Sequence, residues 1–328
     1  MEKGFEKIIS ALKSAKNVGI FTHEHPDGDA VGSAYSLKLA LKAIGKNAEV
    51  FLNDPPDREV GKVAHTGDKS ELKIDDCDLL AALDSADSHR LGRYEETFLK
   101  HNNTIAIDHH ITHKPYASFA SAVMDVSSTC EMMYTLYAEM GIEIDKNIAR
   151  DLYIGLLTDT GSFKYECATS DTLRIAAALL DTGIDFSGIA RALFNTKTRE
   201  YYKLMETALG KLEYYLGGKV AALYISKADF ENCGLDETGA MGIVTIPNSV
   251  EGVEVGAYIR QRGENNYKVS LRSNEYVNVA KIAEKFGGGG HIRAAGYSKI
   301  FDSPPGDCDH AYLEIMSELT AEIKTYLN

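Results

Sequence analysis

Thr104-Ile105-Ala106-Ile107-Asp108-His109-His110 is an apolar run that ends in an acid and two adjacent imidazoles. Its first four residues read as a buried strand, and the polar tail leaves that strand at its carboxyl end. Three further polar clusters follow apolar runs in the first half of the chain. They are His23-Glu24-His25-Pro26-Asp27-Gly28-Asp29, Asp84 and Asp159. Together the four offer imidazole nitrogens and carboxylate oxygens, with no cysteine thiolate nearby. Such donors suit a pair of Mn2+-like or Mg2+-like ions rather than structural zinc. Paired divalent ions clamp and hydrolyse phosphate esters.

The first half of the chain alternates strand-like and helix-like segments. Strands are expected at 18–21, 48–52, 79–83 and 104–107. Helices are expected from about 34 to Gly45 and at 128–140, 148–157 and 171–180. This rhythm predicts an α/β fold with a mainly parallel sheet flanked by helices. Ligands collect at the carboxyl ends of such strands, so one rim gathers the clusters at 23–29, 84 and 108–110. A polar, helix-favouring stretch at 196–215 reads as a connector. Beyond it, 220–225, 253–261 and 267–273 alternate as strands, with Gly263-Glu264-Asn265-Asn266 as a hairpin turn. A helix over 277–286 then runs into four glycines, and a last amphipathic helix covers 311–326. The expected division is a domain over 1–195, a helical connector over 196–215 and a smaller α+β domain over 216–328. The active-site cleft is expected between the two domains.

A length of 328 residues allows two domains that each bury a core. No apolar run approaches the ~20 residues that span a bilayer, so no membrane partner is expected. The opening Met1-Glu2-Lys3-Gly4 lacks the apolar core of a secretory signal and leads into a helical pattern at Phe5, Ile8, Ile9 and Leu12. Five cysteines without C-x-x-C spacing read as free thiols in a reducing cytoplasm. The net charge of −13 argues against broad binding to duplex DNA, where a basic face supplies most of the affinity. Residues 256–300 depart from that balance. Eight Lys or Arg against three Glu leave a local +5, enough to hold an anionic ligand. Tyrosine is abundant, yet no interleaved basic-aromatic stripe marks a long single-strand groove.

Each cluster also has a plainer reading. Pro26 fixes φ and Gly28 permits unusual φ, so the turn can aim His23, Asp27 and Asp29 at one point, but a Pro-Asp-Gly turn is also an ordinary solvated turn. Asp84 and Asp159 alone could cap or end helices. Asp108-His109-His110 is more specific, because an adjacent acid can hold an imidazole in its metal-binding tautomer. Ser128-x-x-Glu131 ahead of an apolar run is a capping-box pattern.

The clusters, in this order, resemble the motifs of the DHH phosphoesterase superfamily: H-x-x-P-D-G-D, then D, then D-H-H, then a late D. The resemblance implies one metal held by His23, Asp27, Asp84 and Asp159 and a second held by Asp29, Asp84, His109 and Asp159, with Asp84 and Asp159 bridging. Mn2+ is the expected pair, with Mg2+ or Co2+ as alternatives. Four carboxylates would balance the two divalent ions. Asp108 would orient an imidazole, and His110 would contact the scissile phosphate or assist the leaving oxygen. His113 stands where many relatives place Asn.

Val269-Ser270-Leu271-Arg272-Ser273, the helix over 277–286, Gly287-Gly288-Gly289-Gly290-His291 and Ala294-Ala295-Gly296 resemble a DHHA1 domain. That implies substrate contacts from Arg260, Arg272, Gly288, Gly289, Gly290 and His291. A helix starting after the glycines would add a favourable dipole. By size and second-domain type the chain is similar to the two-domain nanoRNA phosphatases. These remove nucleotides from very short single-stranded RNA and dephosphorylate 3′-phosphoadenosine 5′-phosphate, by a metal-bridged hydroxide attacking phosphorus. Family II inorganic pyrophosphatases carry a different second domain, and RecJ-type exonucleases are much larger. A cyclic di-AMP or pApA phosphodiesterase of the same layout, and a non-catalytic nucleotide-binding module, are the alternatives. The reading admits a homodimer.

Overall fold

The apolar segments of the first half line up side by side, all in one direction, in the computed structural model, which describes residues 5–67, 71–235, 240 and 242–327. The elements of this first unit are α1 (Glu6–Ser14), β1 (Asn17–Phe21), α2 (Gly28–Ala43), β2 (Asn47–Phe51), α3 (Arg58–Val63), β3 (Leu79–Leu83), α4 (Glu95–Lys100) and β4 (Thr104–Asp108). They continue with β5 (Ala120–Val123), α5 (Thr129–Met140), α6 (Lys146–Asp159), α7 (Ser170–Asp181), α8 (Phe186–Ala190) and a π-helical turn at Arg191–Asn195. The sheet order β2-β1-β3-β4-β5 reverses direction between β1 and β3. In open α/β sheets that reversal opens a crevice at the carboxyl ends of the two strands. The strand 120–123 has no counterpart in the sequence reading, which places the other four strands of this unit within a residue or two.

Both sheet faces are buried, which is why β3 reads as an unbroken apolar run. Val18, Ile20, Leu79, Leu83, Ile105 and Ile107 face the core shared with α2, α5 and α6. Phe21, Leu80, Ala82 and Ala106 face a second cluster with Leu91 and Phe98. Helix α2 is buried almost all round and rich in small residues, so its backbone closes on α6. A β-carbon added at Gly32 would stand 2.4 Å from the Asp151 carbonyl oxygen. One at Gly155 would stand 2.2 Å from Cys130 Sγ and 2.7 Å from Asp29 Oδ1. Glycine at these crossings lets the acids on α2 approach the end of α6. Ser128 caps α5 by accepting from the Glu131 N–H at 3.1 Å. The Glu131 carboxylate accepts from the hydroxyls of Ser127 and Thr172. The Ser128-x-x-Glu131 pattern thus supplies the cap and a separate tie to α7.

Residues Lys197–Asn328 form a second unit. Its elements are α9 (Arg199–Gly210), β6 (Glu213–Tyr215), β7 (Val220–Ile225), α10 (Lys227–Cys233), β8 (Val255–Gln261), β9 (Asn266–Ser273), α11 (Val279–Lys285), β10 (Gly289–His291), β11 (Ala294–Ile300) and α12 (Cys308–Lys324). The sheet order is β10-β11-β9-β8-β7-β6, antiparallel except at β7–β8. Strict alternation along β9 buries Tyr267, Val269 and Leu271 in a core with α11 and α12. Helix α9, within the stretch expected to be a connector, buries Tyr201, Leu204 and Ala208 against Leu223, Ile225 and Tyr258 of this unit.

The α2–α6 crossing gives a direct test. Gly32→Ala forces a β-carbon onto a backbone carbonyl that cannot rotate away, and overpacking of this kind costs about 1–3 kcal/mol. We expect a lower thermal midpoint and weaker Mn2+ binding in the same variant. An unchanged midpoint would show that the two helices separate without cost.

Candidate metal centre

The chain leaves β1 at Phe21 and turns at His23, which is 4% exposed. His23 Nδ1 lies 2.7 Å from the Glu24 carbonyl oxygen. A carbonyl only accepts, so Nδ1 carries the proton and Nε2 turns inward. Asp27 caps α2, its Oδ1 accepting the N–H groups of Asp29 (3.0 Å) and Ala30 (3.1 Å). That cap leaves Oδ2 at 3.9 Å from His23 Nε2. Asp29, one residue into α2, is 1% exposed. Its oxygens accept the N–H groups of Thr129 (2.7 Å) and Cys130 (2.9 Å), at the amino end of α5, where the helix dipole favours an anion.

Asp84 follows β3 with a left-handed φ of +56°, and its N–H donates to the Ile107 carbonyl at 3.0 Å. A non-glycine residue in that region is uncommon, and here it points the carboxylate between two imidazoles. Asp84 Oδ2 is 3.6 Å from His23 Nε2, and Oδ1 is 3.5 Å from His109 Nε2. Thr129 Oγ1 donates to the same Oδ1 at 3.0 Å. His109 Nδ1 is 3.2 Å from the Val126 carbonyl, so its Nε2 faces the acids, 3.3 Å from Asp159 Oδ2 and 4.0 Å from Asp29 Oδ2. Asp159 is the last residue of α6.

The donor atoms fall into three close groups: His23, Asp27 and Asp84; Asp29, His109 and Asp159; and Asp84, His109 and His110. All six ligand residues expected from the sequence come together. Asp84 faces both imidazoles, and Asp159 stands with Asp29 and His109. Asp108 lies behind them, wholly buried. Its Oδ1 is 2.7 Å from His110 Nδ1 and its Oδ2 is 2.7 Å from His113 Nδ1. His113 therefore makes a buried contact of its own and shares one acid with His110.

The titration behaviour is that of carboxylates pressed together. Burial, with the Asp84 charge behind it, pushes the Asp29 carboxyl up to about 7. Burial and the Asp29 charge push Asp159 well above the usual range. Burial opposes charge on His109, but Asp84, Asp159 and Asp29 outweigh it and raise the imidazole to about 9. Asp84 moves the other way: burial resists, while the hydrogen bond with His23 and the charges of His110 and His109 hold it well below the carboxylate range. Protons thus stand where cations would relieve the repulsion. Two imidazole Nε2 atoms and four carboxylates fit a pair of divalent ions of the Mn2+ or Mg2+ type.

The residues expected to hold substrate lie in the second unit. Register places His291, Ala294, Arg272 and Gly256 in one row across the sheet, with Gly289, Gly296 and Ser270 in the next. Arg260 pairs with Lys268 in a third. On β9 the alternation turns Lys268, Ser270 and Arg272 away from the core. One face therefore carries Arg260, Lys268, Arg272 and His291 around small residues that admit a ligand closely.

The glycine run corrects one expectation, because a hairpin and not a helix follows it. Gly287, at φ +77°, closes α11 while the Gly288 N–H donates to the Ala283 carbonyl at 2.9 Å. A β-carbon on Gly288 would meet the Gly296 carbonyl at 2.2 Å. Gly289, Gly290 and His291 form the edge strand β10. An anion there would meet strand-edge groups and side chains, with no helix dipole. Sequence reasoning also missed Lys268 and Thr129. Period-two alternation could have placed Lys268 beside Arg272, whereas no local pattern links Thr129 to acids 45 and 100 positions earlier.

A family model described as the DHH family, N-terminal domain, matches residues 17–156, and one described as the DHHA1 domain matches 217–299. The chain is 33% identical over 320 residues to a bifunctional oligoribonuclease and PAP phosphatase of Thermus thermophilus, covering 96% of this chain and 93% of that one. Among solved structures, an exopolyphosphatase-related protein of Bacteroides fragilis aligns with a TM-score of 0.87 at 25% identity over 99% of this chain and 97% of the other. The exonuclease RecJ bound to manganese shares the fold, with a TM-score of 0.51 at 15% identity over 99% and 94% of the two chains.

Metal binding here must displace protons. With His109 raised to about 9 it holds a proton at pH 7, and Asp29, raised to about 7, holds one about half the time, while a metal needs both bare. Mn2+ affinity should therefore rise with pH from 6 to 9. Calorimetry in buffers of different ionisation heat should report release of between about one and two protons at pH 7. A pH-independent affinity would mean that the metal uses other ligands.

Proposed function

The chain belongs to the DHH family, and we propose that it is a metal-dependent phosphoesterase that hydrolyses very short RNA to mononucleotides and removes the 3′-phosphate of PAP. One observation carries this reading: Asp84 presents its two oxygens to His23 and His109 at 3.6 and 3.5 Å. A carboxylate placed in this way would be available to both of two divalent ions. The likeness to a bifunctional oligoribonuclease and PAP phosphatase over most of both chains supports the substrate assignment.

His23, Asp27, Asp29, Asp84, His109 and Asp159 would hold the two ions, with Mn2+ proposed ahead of Mg2+ or Co2+. When bound, the pair supplies charge neutralisation at the phosphate and a nucleophile drawn from water. The protein's own groups do the rest. Asp108 holds His110 through Nδ1 at 2.7 Å, which fixes the ring and leaves Nε2 to deliver a proton to the leaving oxygen. Burial opposes ionisation of Asp108, but its bonds with His110 and His113 keep the carboxyl well below its ordinary range, so it stays an acceptor. On the second unit, Arg260, Arg272, His291 and the strand edge at Gly288, Gly289 and Gly290 would grip a terminal phosphate or base, and Lys268 adds charge to that face.

Among the described residues no helix is long and apolar enough to cross a membrane. All five cysteines are free thiols, and we place the protein in the cytoplasm on that basis.

Asp84→Ala should lower kcat by at least about a thousandfold while circular dichroism stays unchanged, since the substitution removes a buried charge and little packing. A Mn2+-loaded wild type should turn over a five-mer RNA and PAP, and leave pyrophosphate untouched. Turnover confined to cyclic di-AMP or pApA would replace the substrate assignment, and wild-type rates in Asp84→Ala would remove the metal-bridging role. Arg272→Gln should raise KM for a short RNA by about tenfold with kcat nearly constant, the pattern of lost ground-state binding. An equal fall in kcat would place Arg272 in the chemical step instead.

A further inference from the structure

Helix α6 ends at Asp159 in the metal centre, and its other end borders a separate cavity of about 460 Å³. Thirteen residues at about 1.5 Å each put the two on the order of 20 Å apart along the helix. Lys62 of α3, Lys146 and Arg150 of α6 and Arg191 of the π turn line the cavity. Among the described residues lining it, Asp185 is the one acid, and its carboxylate already caps α8 by accepting the Gly188 N–H at 3.0 Å. The whole chain carries 48 acids to 35 Lys and Arg, so four cations to one acid is a local inversion. Among the described residues none of the four takes part in a salt bridge. The neighbouring Asp151 is engaged by His65 at 3.1 Å.

Two further observations point inward. Arg150 Nε is buried without a hydrogen-bond partner, a standing cost that an acceptor in the cavity would remove. The Arg191 carbonyl accepts the Thr196 N–H at 2.8 Å across a π turn, and such turns are frequent at functional sites. Beneath the cationic rim lies an apolar floor of Val63, Ile184 and Ile189, each under 10% exposed. A rim of positive charge over an apolar floor, in a volume within the roughly 300–1,000 Å³ range of small-ligand pockets, suits a phosphate joined to a flat ring.

We propose that this cavity is a second nucleotide site, which binds a mononucleotide by its phosphate and base independently of the metal centre. The inference does not depend on which reaction that centre performs. Its test is hydrogen exchange of the full chain with AMP in the presence of a chelator, read at residues 146–150 and 185–196. AMP should slow exchange in both segments, in the wild type and in Asp84→Ala alike. In the double variant Arg150→Gln, Arg191→Gln the protection should vanish at the same AMP concentration and Kd should rise at least about tenfold, with Mn2+-dependent turnover unchanged. Exchange unaffected by about 1 mM AMP in the wild type, or equal protection in the double variant, would overturn the site. Inorganic phosphate protecting as well as AMP would overturn the nucleotide assignment. Should the double variant fail to fold, adenosine against AMP on the wild type decides: AMP alone should protect, and equal effects would reject the phosphate-binding rim.

Discussion

Carboxylates that face one another where water hardly reaches are the constraint on which the rest of this structure depends. An ionised acid moved out of water is expensive, and each like charge beside it adds to the cost. The protein answers in three partial ways. Asp29 and Asp159 are drawn towards their neutral forms, His109 is drawn towards imidazolium, and Asp29 takes backbone N–H groups from α5. None of these matches the density of charge that two divalent ions supply. Seen this way, the strained φ at Asp84 and the close glycine crossing of α2 on α6 are what keep the acids together against their own repulsion.

Four of the acids are anchored by the fold rather than by a cation. Asp27 is held by its own helix cap, Asp29 by the amino end of α5, Asp84 by a strand hydrogen bond and Thr129, and Asp108 by two histidines. The imidazoles are fixed by carbonyls on their far nitrogens. Outer contacts of this kind select the ligating tautomer and orientation before any metal arrives. The crevice they occupy lies where the order of a doubly wound sheet reverses, so the topology opens the space and the local bonds aim the donors into it.

Much of this could be read without coordinates, because the informative signals are local. A short all-apolar run such as 79–83 reads as a strand buried on both faces, and the period-two alternation of 267–273 names the members that turn away from the core. The site was legible for the same reason: five of its six acids and imidazoles follow a strand by at most a few residues, or stand in the helical turn it leads into. What escaped is nonlocal or too short to show a period. Strands 120–123 and 289–291 carry few residues each, and the glycines leading into 294–300 read as a loop, which hid the hairpin of β10 and β11. Thr129 acts through hydrogen bonds to residues far behind it in sequence. His113 looked like a departure from a motif, yet its ring reaches Asp108 just as a shorter polar side chain could.

Charge placement also bears on why such a protein would act on short oligonucleotides. With a net charge of −13, most of its surface repels a polyanion over about a Debye length, roughly 8 Å at physiological salt. Arg260, Lys268, Arg272 and His291 reverse that sign across one sheet face of the second unit. A short strand can place its few phosphates on that face, whereas a longer polyanion adds charge that the net negative balance of the chain opposes. Enzymes that process long strands extend a basic, aromatic-studded groove along the backbone, so that each added nucleotide contributes favourably. Here the balance turns against length once the basic face is filled. A basic face of limited extent thus favours very short strands on electrostatic grounds.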